Sequence, residues 1–225
     1  MIRAIATRFW MKTFMKIALI GATGYVGSAL REEALARGHQ VTALVSNPAK
    51  LTPGPQLTAR AVDVMNTAAL TDTLAGNVAV ISAFSGHARE DVRGYYVRGI
   101  RSIIEATRRT GCRLLVVGGA GSLEVAPGVQ LVDTPEFPAQ WKGSAEGARD
   151  ALHLLRATTD LDWTMLSPAA YLEPGPRTAK FRLGGDKLLT DPEGKSRIST
   201  ADYAVAMLDE LEKPTHKGQR FSVAY

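Results

Sequence analysis

Gly21, Gly24 and Gly27 recur at G-x-x-G-x-x-G spacing directly after the apolar run Ile17-Ala18-Leu19-Ile20. That spacing suits the capture of a phosphate by main chain. Gly21 lets the chain leave a strand through a tight turn, Gly24 removes a side chain where a diphosphate must meet backbone, and Gly27 lets the next helix sit close on its sheet. Tyr25 and Val26 stand at the start of that helix, whose free N–H groups and positive dipole end face the anion. Thr23 adds a hydroxyl donor. Other candidate residues lie further along. Ser46, Asn47 and Lys50 can donate hydrogen bonds or charge, and Asp63 can accept a hydrogen bond while Val64 packs on a flat ring. Small residues at Ser82–Gly86 and Gly118–Ser122, including Ala83, Gly118 and Gly119 and joined by Phe84, allow a ligand to approach the chain. His87, Ser122 and Lys142 are the candidates for proton or positioning chemistry.

These residues need a scaffold, and the periodicity supplies one. Ile17–Ile20 has the length and β-branched content of a buried parallel strand. Val26, Leu30, Ala34 and Leu35 recur at helical spacing until Gly38, and Val41–Val45 follows as a second strand. Strand, glycine turn, helix and strand within about thirty residues form the βαβ unit that binds dinucleotides. Further strands are expected around Ala59–Val62, Val78–Ile81, Leu114–Val117, Trp163–Leu166 and Phe221–Ala224. Helices are expected after Asn66, after Arg89-Glu90-Asp91, over Gly143–Arg156 and after Ser199, where Ser199 and Asp202 form a capping box. Lys187-Leu188-Leu189 is expected to pair with Phe181-Arg182-Leu183 across Gly184-Gly185-Asp186. The fold class is α/β, a doubly wound, mainly parallel Rossmann sheet with a small irregular C-terminal lobe. Residues 1–14 form an N-terminal extension, 15–225 a single NAD(P)-binding domain, and 171–196 the lobe insertion.

Position on such a sheet assigns tasks. The turn after the second strand meets the adenosine ribose, where an NAD site usually carries an acid that would repel a 2′-phosphate. Ser46, Asn47 and Lys50 stand there with no acid among them, so NADP is favoured and NAD remains open. Asp63 would accept from the adenine amino group, or simply open a turn. His87 follows the turn after the fourth strand, where a loop histidine is more often solvated than catalytic. Lys142 could anchor a ribose or acceptor, or be a surface lysine at a helix start.

Composition narrows the classes. With 225 residues and 45% hydrophobic content the chain can bury one full core. The net charge of +5 and pI near 9.4 come from scattered Lys and Arg with no nucleic-acid motif, which fits a phosphorylated cofactor better than nucleic acid. No membrane partner and no metal site are expected. Cys112 is the single cysteine, which excludes an internal disulfide framework and fits a reducing, cytoplasmic compartment. Translation could begin at Met1 or at Met15, which abuts the first strand.

GATGYVG at Gly21–Gly27, Asp63-Val64, VVGGAGSL at Val116–Leu123 and ISTADYAVAMLDELE at Ile198–Glu212 together resemble the atypical short-chain dehydrogenase/reductase superfamily. Within it the chain is most similar to the NADH-flavin reductase group, related to NmrA-like proteins and to biliverdin and flavin reductases. Classical members carry Tyr-x-x-x-Lys, in which tyrosine protonates a carbonyl. Here the residues four places after Tyr25, Tyr95, Tyr96, Tyr171 and Tyr203 are Ala29, Gly99, Ile100, Gly175 and Met207. The family's usual arginine after the second strand is Ser46.

The resemblance implies an NAD(P)H-dependent reductase, with 171–196 as its small substrate lobe, acting on a small conjugated acceptor such as a flavin or quinone, as a monomer or homodimer. A delocalised acceptor can take hydride first and draw its proton from solvent, so positioning can do most of the work. The alternative is an NmrA-like regulatory protein that senses the dinucleotide without turnover. Sugar-nucleotide epimerase or dehydratase activity ranks third, because the missing motif removes its acid/base pair.

Overall fold

The structure, a computed structural model, describes residues 14–86 and 90–225. Strand and helix alternate along the chain as β1 (Lys16–Ile20), α1 (Tyr25–Ala36), β2 (Gln40–Val45), β3 (Leu57–Ala61), α2 (Thr67–Leu74), β4 (Ala79–Ser82), α3 (Val92–Thr110) and β5 (Arg113–Val117). A short hairpin, β6 (Glu124–Ala126) with β7 (Val129–Gln130), precedes α4 (Ala139–Arg156) and β8 (Trp163–Ser167). The chain ends with β9 (Tyr171–Glu173), β10 (Arg182–Gly184), β11 (Arg197–Ser199), α5 (Thr200–Glu212) and β12 (Gln219–Ala224).

One eight-stranded sheet in the order β10-β12-β8-β5-β4-β1-β2-β3 forms the frame. All its pairings are parallel except β10 with β12. Alternation along the strands decides which helix covers which face. Ile17, Leu19, Val41, Ala43 and Ile81 point to the side packed by Leu30 and Ala34 of α1 and by Tyr203, Leu208 and Leu211 of α5. Ala18, Ile20, Leu44, Val80, Leu114 and Val116 point the other way, against Leu70 and Leu74 of α2, Ile100, Ile103 and Ile104 of α3, and Leu152 and Leu155 of α4. The doubly wound sheet is thus built as the periodicity requires.

Helix ends follow local chemistry. Asn66 and Asp91 cap α2 and α3 by accepting from Ala69 and Gly94 N–H groups, and Gly111, at φ +67°, ends α3 in the left-handed conformation. The capping box at α5 forms only by half. Ser199 Oγ accepts from the Asp202 N–H at 2.9 Å, but the Asp202 carboxylate turns to the Thr178 hydroxyl, the Thr178 and Ala179 N–H groups and the Tyr225 hydroxyl. That rivet fastens the segment before β10 to α5 and the C-terminus. Several hydrogen-bond donors there outcompete the single N–H that a box would offer.

Two expected elements differ. The helix expected from Gly143 begins one turn earlier, at Ala139 after Pro138, since a proline tolerates the helix start. Lys187-Leu189 does not pair with Phe181-Leu183. Instead β10 adds to the open edge of β12, matching Arg182 with Ala224, and Lys187 bridges to Glu124 in parallel. An unpaired sheet edge offers a longer row of partners than an isolated two-strand ribbon does.

Candidate functional site

The strand order reverses between β1 and β4, and in open α/β sheets a crevice forms at the carboxyl ends of the strands flanking that point. The glycine turn stands there. Gly21, at φ +78°, donates its N–H to Leu44 O at 2.9 Å, and a Cβ on it would lie 2.6 Å from Ala83 O. Gly24 N–H donates to Gly21 O at 2.9 Å, closing the turn, and Arg31 braces it through Ala22 O at 2.9 Å. A Cβ at Gly27 would fall 2.0 Å from Gly21 O, so only glycine lets α1 seat against the turn.

Gly24 itself is the N-cap of α1, with no side chain capping the helix and no acid in its first turn. The first-turn N–H groups are therefore left without intrahelical or side-chain partners. This is a cradle suited to a diphosphate, and its donors would come from the turn and first helical residues, Tyr25, Val26 and Gly27.

At the β2 and β3 ends, Ser46 and Lys50 are exposed. Asn47 Oδ1 accepts from Ala49 N–H at 3.0 Å, and Asp63 Oδ1 accepts from Met65 N–H at 2.9 Å. Both thus organise turns. Val64 is buried beneath α2 and α3.

A cavity of about 830 Å³ runs from the glycine turn across the ends of β4 and β5 to the 134–141 segment and β9. Gly24, Tyr25, Val26, Ala83, Phe84, Gly118 and Gly119 line it. Its far part is aromatic, formed by Tyr96, Phe137, Trp141 and Tyr171 with Glu136 and Glu173 at the wall. Phe84 stacks on Tyr96 with ring centroids 5.9 Å apart. Helical glycines make room for these rings. A Cβ at Gly99 would lie 2.2 Å from the Phe84 ring, and one at Gly147 would lie 3.2 Å from Tyr96. Tyr25 closes one side by donating to Leu172 O at 3.2 Å.

The glycine run after β5 is explained partly by packing. A Cβ at Gly121 would come within 2.7 Å of Ala145 and one at Gly119 within 3.1 Å of Ala148, so α4 itself uses the missing side chains.

The candidates for proton or positioning chemistry fare differently. Ser122 is buried and does not line the cavity; its hydroxyl lies 3.4 Å from Arg220 Nη1. Arg220 also reaches Ser167 and pairs with Asp186, tying the loop after β5 to β12. Lys142 is exposed and does not line the cavity, because Trp141, Ser144, Ala145 and Ala148 occupy the inward face of α4 at helical spacing. His87 lies outside the described residues, as do residues 1–13. Cys112 is buried and donates to Asn77 O at 3.0 Å. Tyr96, Phe137, Trp141 and the Glu136 and Glu173 carboxylates were not evident from motif spacing. The one signal available was glycine at Gly99 and Gly147 inside otherwise regular helices.

Burial disfavours the ionised form of two phenols. Burial pushes the Tyr96 phenol well above its ordinary value. Tyr203, which does not line the cavity, is raised by burial first and then by the nearby Tyr96, and its hydroxyl donates to Leu166 O at 2.7 Å. No group of three or more His, Cys, Asp or Glu that could hold a metal occurs among the described residues. No helix among them is long and apolar enough to cross a membrane.

A family profile described as NAD(P)H-binding matches residues 21–214. The YwnB protein of Bacillus subtilis (strain 168), itself uncharacterised, is 41% identical over 213 residues, covering 93% of this chain and 98% of its own. A solved structure from Bacteroides thetaiotaomicron, provisionally named an epimerase, is 40% identical with a TM-score of 0.88 and covers 95% of this chain and 98% of its own. Another, from Streptococcus pneumoniae TIGR4 and provisionally named an NADH-flavin reductase, is 38% identical with a TM-score of 0.84, covering 93% and 99%.

Proposed function

From the premise that the chain belongs to the NAD(P)H-binding family, in the atypical short-chain dehydrogenase/reductase group, we propose that it is a reductase. It passes hydride from NAD(P)H, with NADPH preferred, to a flavin, quinone or related conjugated acceptor. The supporting observation is that one cavity contains both the glycine cradle and an aromatic far wall. A bound dinucleotide supplies the hydride. The chain's residues bind and orient: the α1 N-terminus takes the diphosphate, Ser46, Asn47 and Lys50 meet the adenosine ribose, and Ala83, Phe84, Gly118 and Gly119 border the reacting end. Phe84, Tyr96, Trp141 and Tyr171 offer flat apolar faces to a planar acceptor. Segment 171–196 serves as the substrate lobe, its β9 forming part of that wall.

The name of the Streptococcus pneumoniae relative supports this assignment, and that of the Bacteroides thetaiotaomicron relative points elsewhere. Epimerisation needs an acid/base pair, and no Tyr-x-x-x-Lys is present to supply one. The test follows NADPH absorbance with panels of flavins, quinones and aliphatic ketones, with cofactor binding confirmed separately. Turnover is expected on the first two panels and not on the third. An isolated alkoxide needs a proton at once, whereas a delocalised anion can wait for solvent. Tight NADPH binding without turnover on any acceptor would favour a dinucleotide sensor, and brisk ketone reduction would refute the mechanism.

A further inference from the structure

Tyr96 is 7% exposed, lines the cavity and stacks on Phe84. Among the described residues the buried polar side-chain atoms without a hydrogen-bond partner are His39 Nδ1 and Arg113 Nε. The Tyr96 oxygen is not one of them, no described residue forms a hydrogen bond to it, and its side chain lines the cavity. A buried phenol usually finds a partner, because an unmade hydrogen bond in low dielectric is costly. The tyrosine next to it, Tyr95, does not line the cavity; it is half-buried with its ring tilted against Phe84.

We infer that the Tyr96 hydroxyl is a specificity-determining hydrogen-bond donor to the acceptor, selecting planar molecules that carry a carbonyl oxygen or ring nitrogen beside the atom that takes hydride. The inference rests on the reductase assignment above and names the acceptor's chemistry. The stacked Phe84 and Tyr96 rings supply a flat contact, and the hydroxyl supplies the direction. As hydride arrives, its electron pair moves onto the acceptor's heteroatom, and the bond from Tyr96 O–H strengthens there. The phenol keeps its proton, since burial disfavours the phenolate. The reduced acceptor takes its proton from water, which leaves NAD(P)+ and the dihydro product in balance. Tyr96 therefore touches the acceptor without acting as the proton source, and the missing lysine partner is no handicap.

The test is Tyr96→Phe, which keeps the ring and removes one oxygen that has no partner among the described residues. Binding of 1,4-naphthoquinone to NADP+-loaded protein is read through quenching of tryptophan fluorescence, Trp141 being the tryptophan that lines the same cavity, and turnover is read with NADPH. Expected are an unchanged melting temperature, an unchanged NADP+ affinity, and quinone affinity and kcat/KM lower by about tenfold, the scale of one lost hydrogen bond. The kcat/KM profile of the wild type should stay free of any tyrosine titration near neutral pH. Equal quinone affinity and kcat/KM in variant and wild type would overturn the inference while leaving the reductase assignment standing. So would a loss of NADP+ affinity that matches the loss for quinone, since the hydroxyl would then serve the cofactor. A large fall in melting temperature would likewise overturn it by revealing a structural partner. Wild-type protein that neither binds nor reduces quinones or flavins would remove the reductase assignment, and this inference with it.

Discussion

Gly24→Val separates ligand binding from folding at the glycine turn. At φ −77° and ψ 176° Gly24 adopts extended backbone open to any residue, and a Cβ there would meet only Gly21 O, at 3.2 Å. Valine is a poor N-cap, so the fold should lose about 1 kcal/mol and remain intact. Its branched methyl groups would project where the first-turn N–H groups must meet a diphosphate. Losing even one charge-assisted hydrogen bond costs about 1.5–3 kcal/mol, so NADPH affinity should fall at least tenfold, or about 1.4 kcal/mol. At a concentration of about 100 times the wild-type Kd, NADPH should stabilise wild type by about 2.7 kcal/mol and the variant by about 1.4 kcal/mol or less. For a chain of this size that difference is about 3–5 °C in Tm. Gly27→Ala is the contrasting variant. Its Cβ would fall 2.0 Å from Gly21 O and 2.8 Å from Gly21 C, so backbone must move and stability should fall together with affinity. Isothermal calorimetry and thermal melts of both variants decide the matter. A folded Gly24→Val protein with unchanged NADPH affinity would refute the assignment of the diphosphate to the α1 N-terminus.

Ser46→Asp should swing preference from NADPH toward NADH, because a carboxylate at the end of β2 repels a 2′-phosphate; much tighter binding of NADH by the wild type would contradict the proposal. Ser122→Ala and Lys142→Ala should slow turnover only modestly, and a loss approaching 10²–10⁴-fold would identify a proton donor among them. Gly99→Ala should displace the Phe84 ring, whose nearest atom lies 2.2 Å from where the added methyl group would stand, and raise KM for the acceptor more than for NADPH; equal effects on both would show that Phe84 does not discriminate. Burial disfavours ionised Glu210, but hydrogen bonds from His216, Thr215 and Arg113 overcome that and bring its pKa from the ordinary 4.5 down to about 2. A depressed carboxyl stabilises the fold fully above about 4.5 and loses that contribution as pH falls toward 2, an acid limb of roughly 3 kcal/mol. Urea titrations at pH 7 and pH 3 should show about 2 kcal/mol of this limb in wild type and a flatter dependence in Glu210→Gln.

The frame was legible because its signals are local. Ile17–Ile20 before Gly21, the period of Leu30 and Ala34, and the caps at Asn66 and Asp91 each depend on a few neighbouring residues, and β1, α1, α2 and α3 form where those signals stand. The irregular C-terminal part was less legible. Lys187-Leu189 reads as half of a hairpin, yet the pairing is decided by the free edge of β12, which lies some forty residues away in sequence from β10 and is visible only once the sheet exists. Asp202 shows the same limit at the level of one side chain. Its spacing from Ser199 spells a capping box, while Thr178, Ala179 and Tyr225 claim its oxygens from outside the helix.

The division within the cavity has the same origin. Binding a diphosphate uses main-chain N–H groups, which nearly every residue carries, so its sequence signature is where side chains must be missing, and glycines at fixed intervals record that. A wall for a planar acceptor uses side chains delivered from separate elements. Phe84 comes from the end of β4, Tyr96 from α3, Trp141 from α4 and Tyr171 from β9, and no spacing along the chain relates them. What betrays the wall is again absence, since Gly99 and Gly147 interrupt good helices where a methyl group would strike Phe84 or crowd Tyr96. A glycine in a helix interior costs about 0.5–1 kcal/mol relative to alanine. Two such costs on the cavity side of α3 and α4 are accounted for by the rings they admit, and those rings set the shape of the space in which a hydride acceptor would lie.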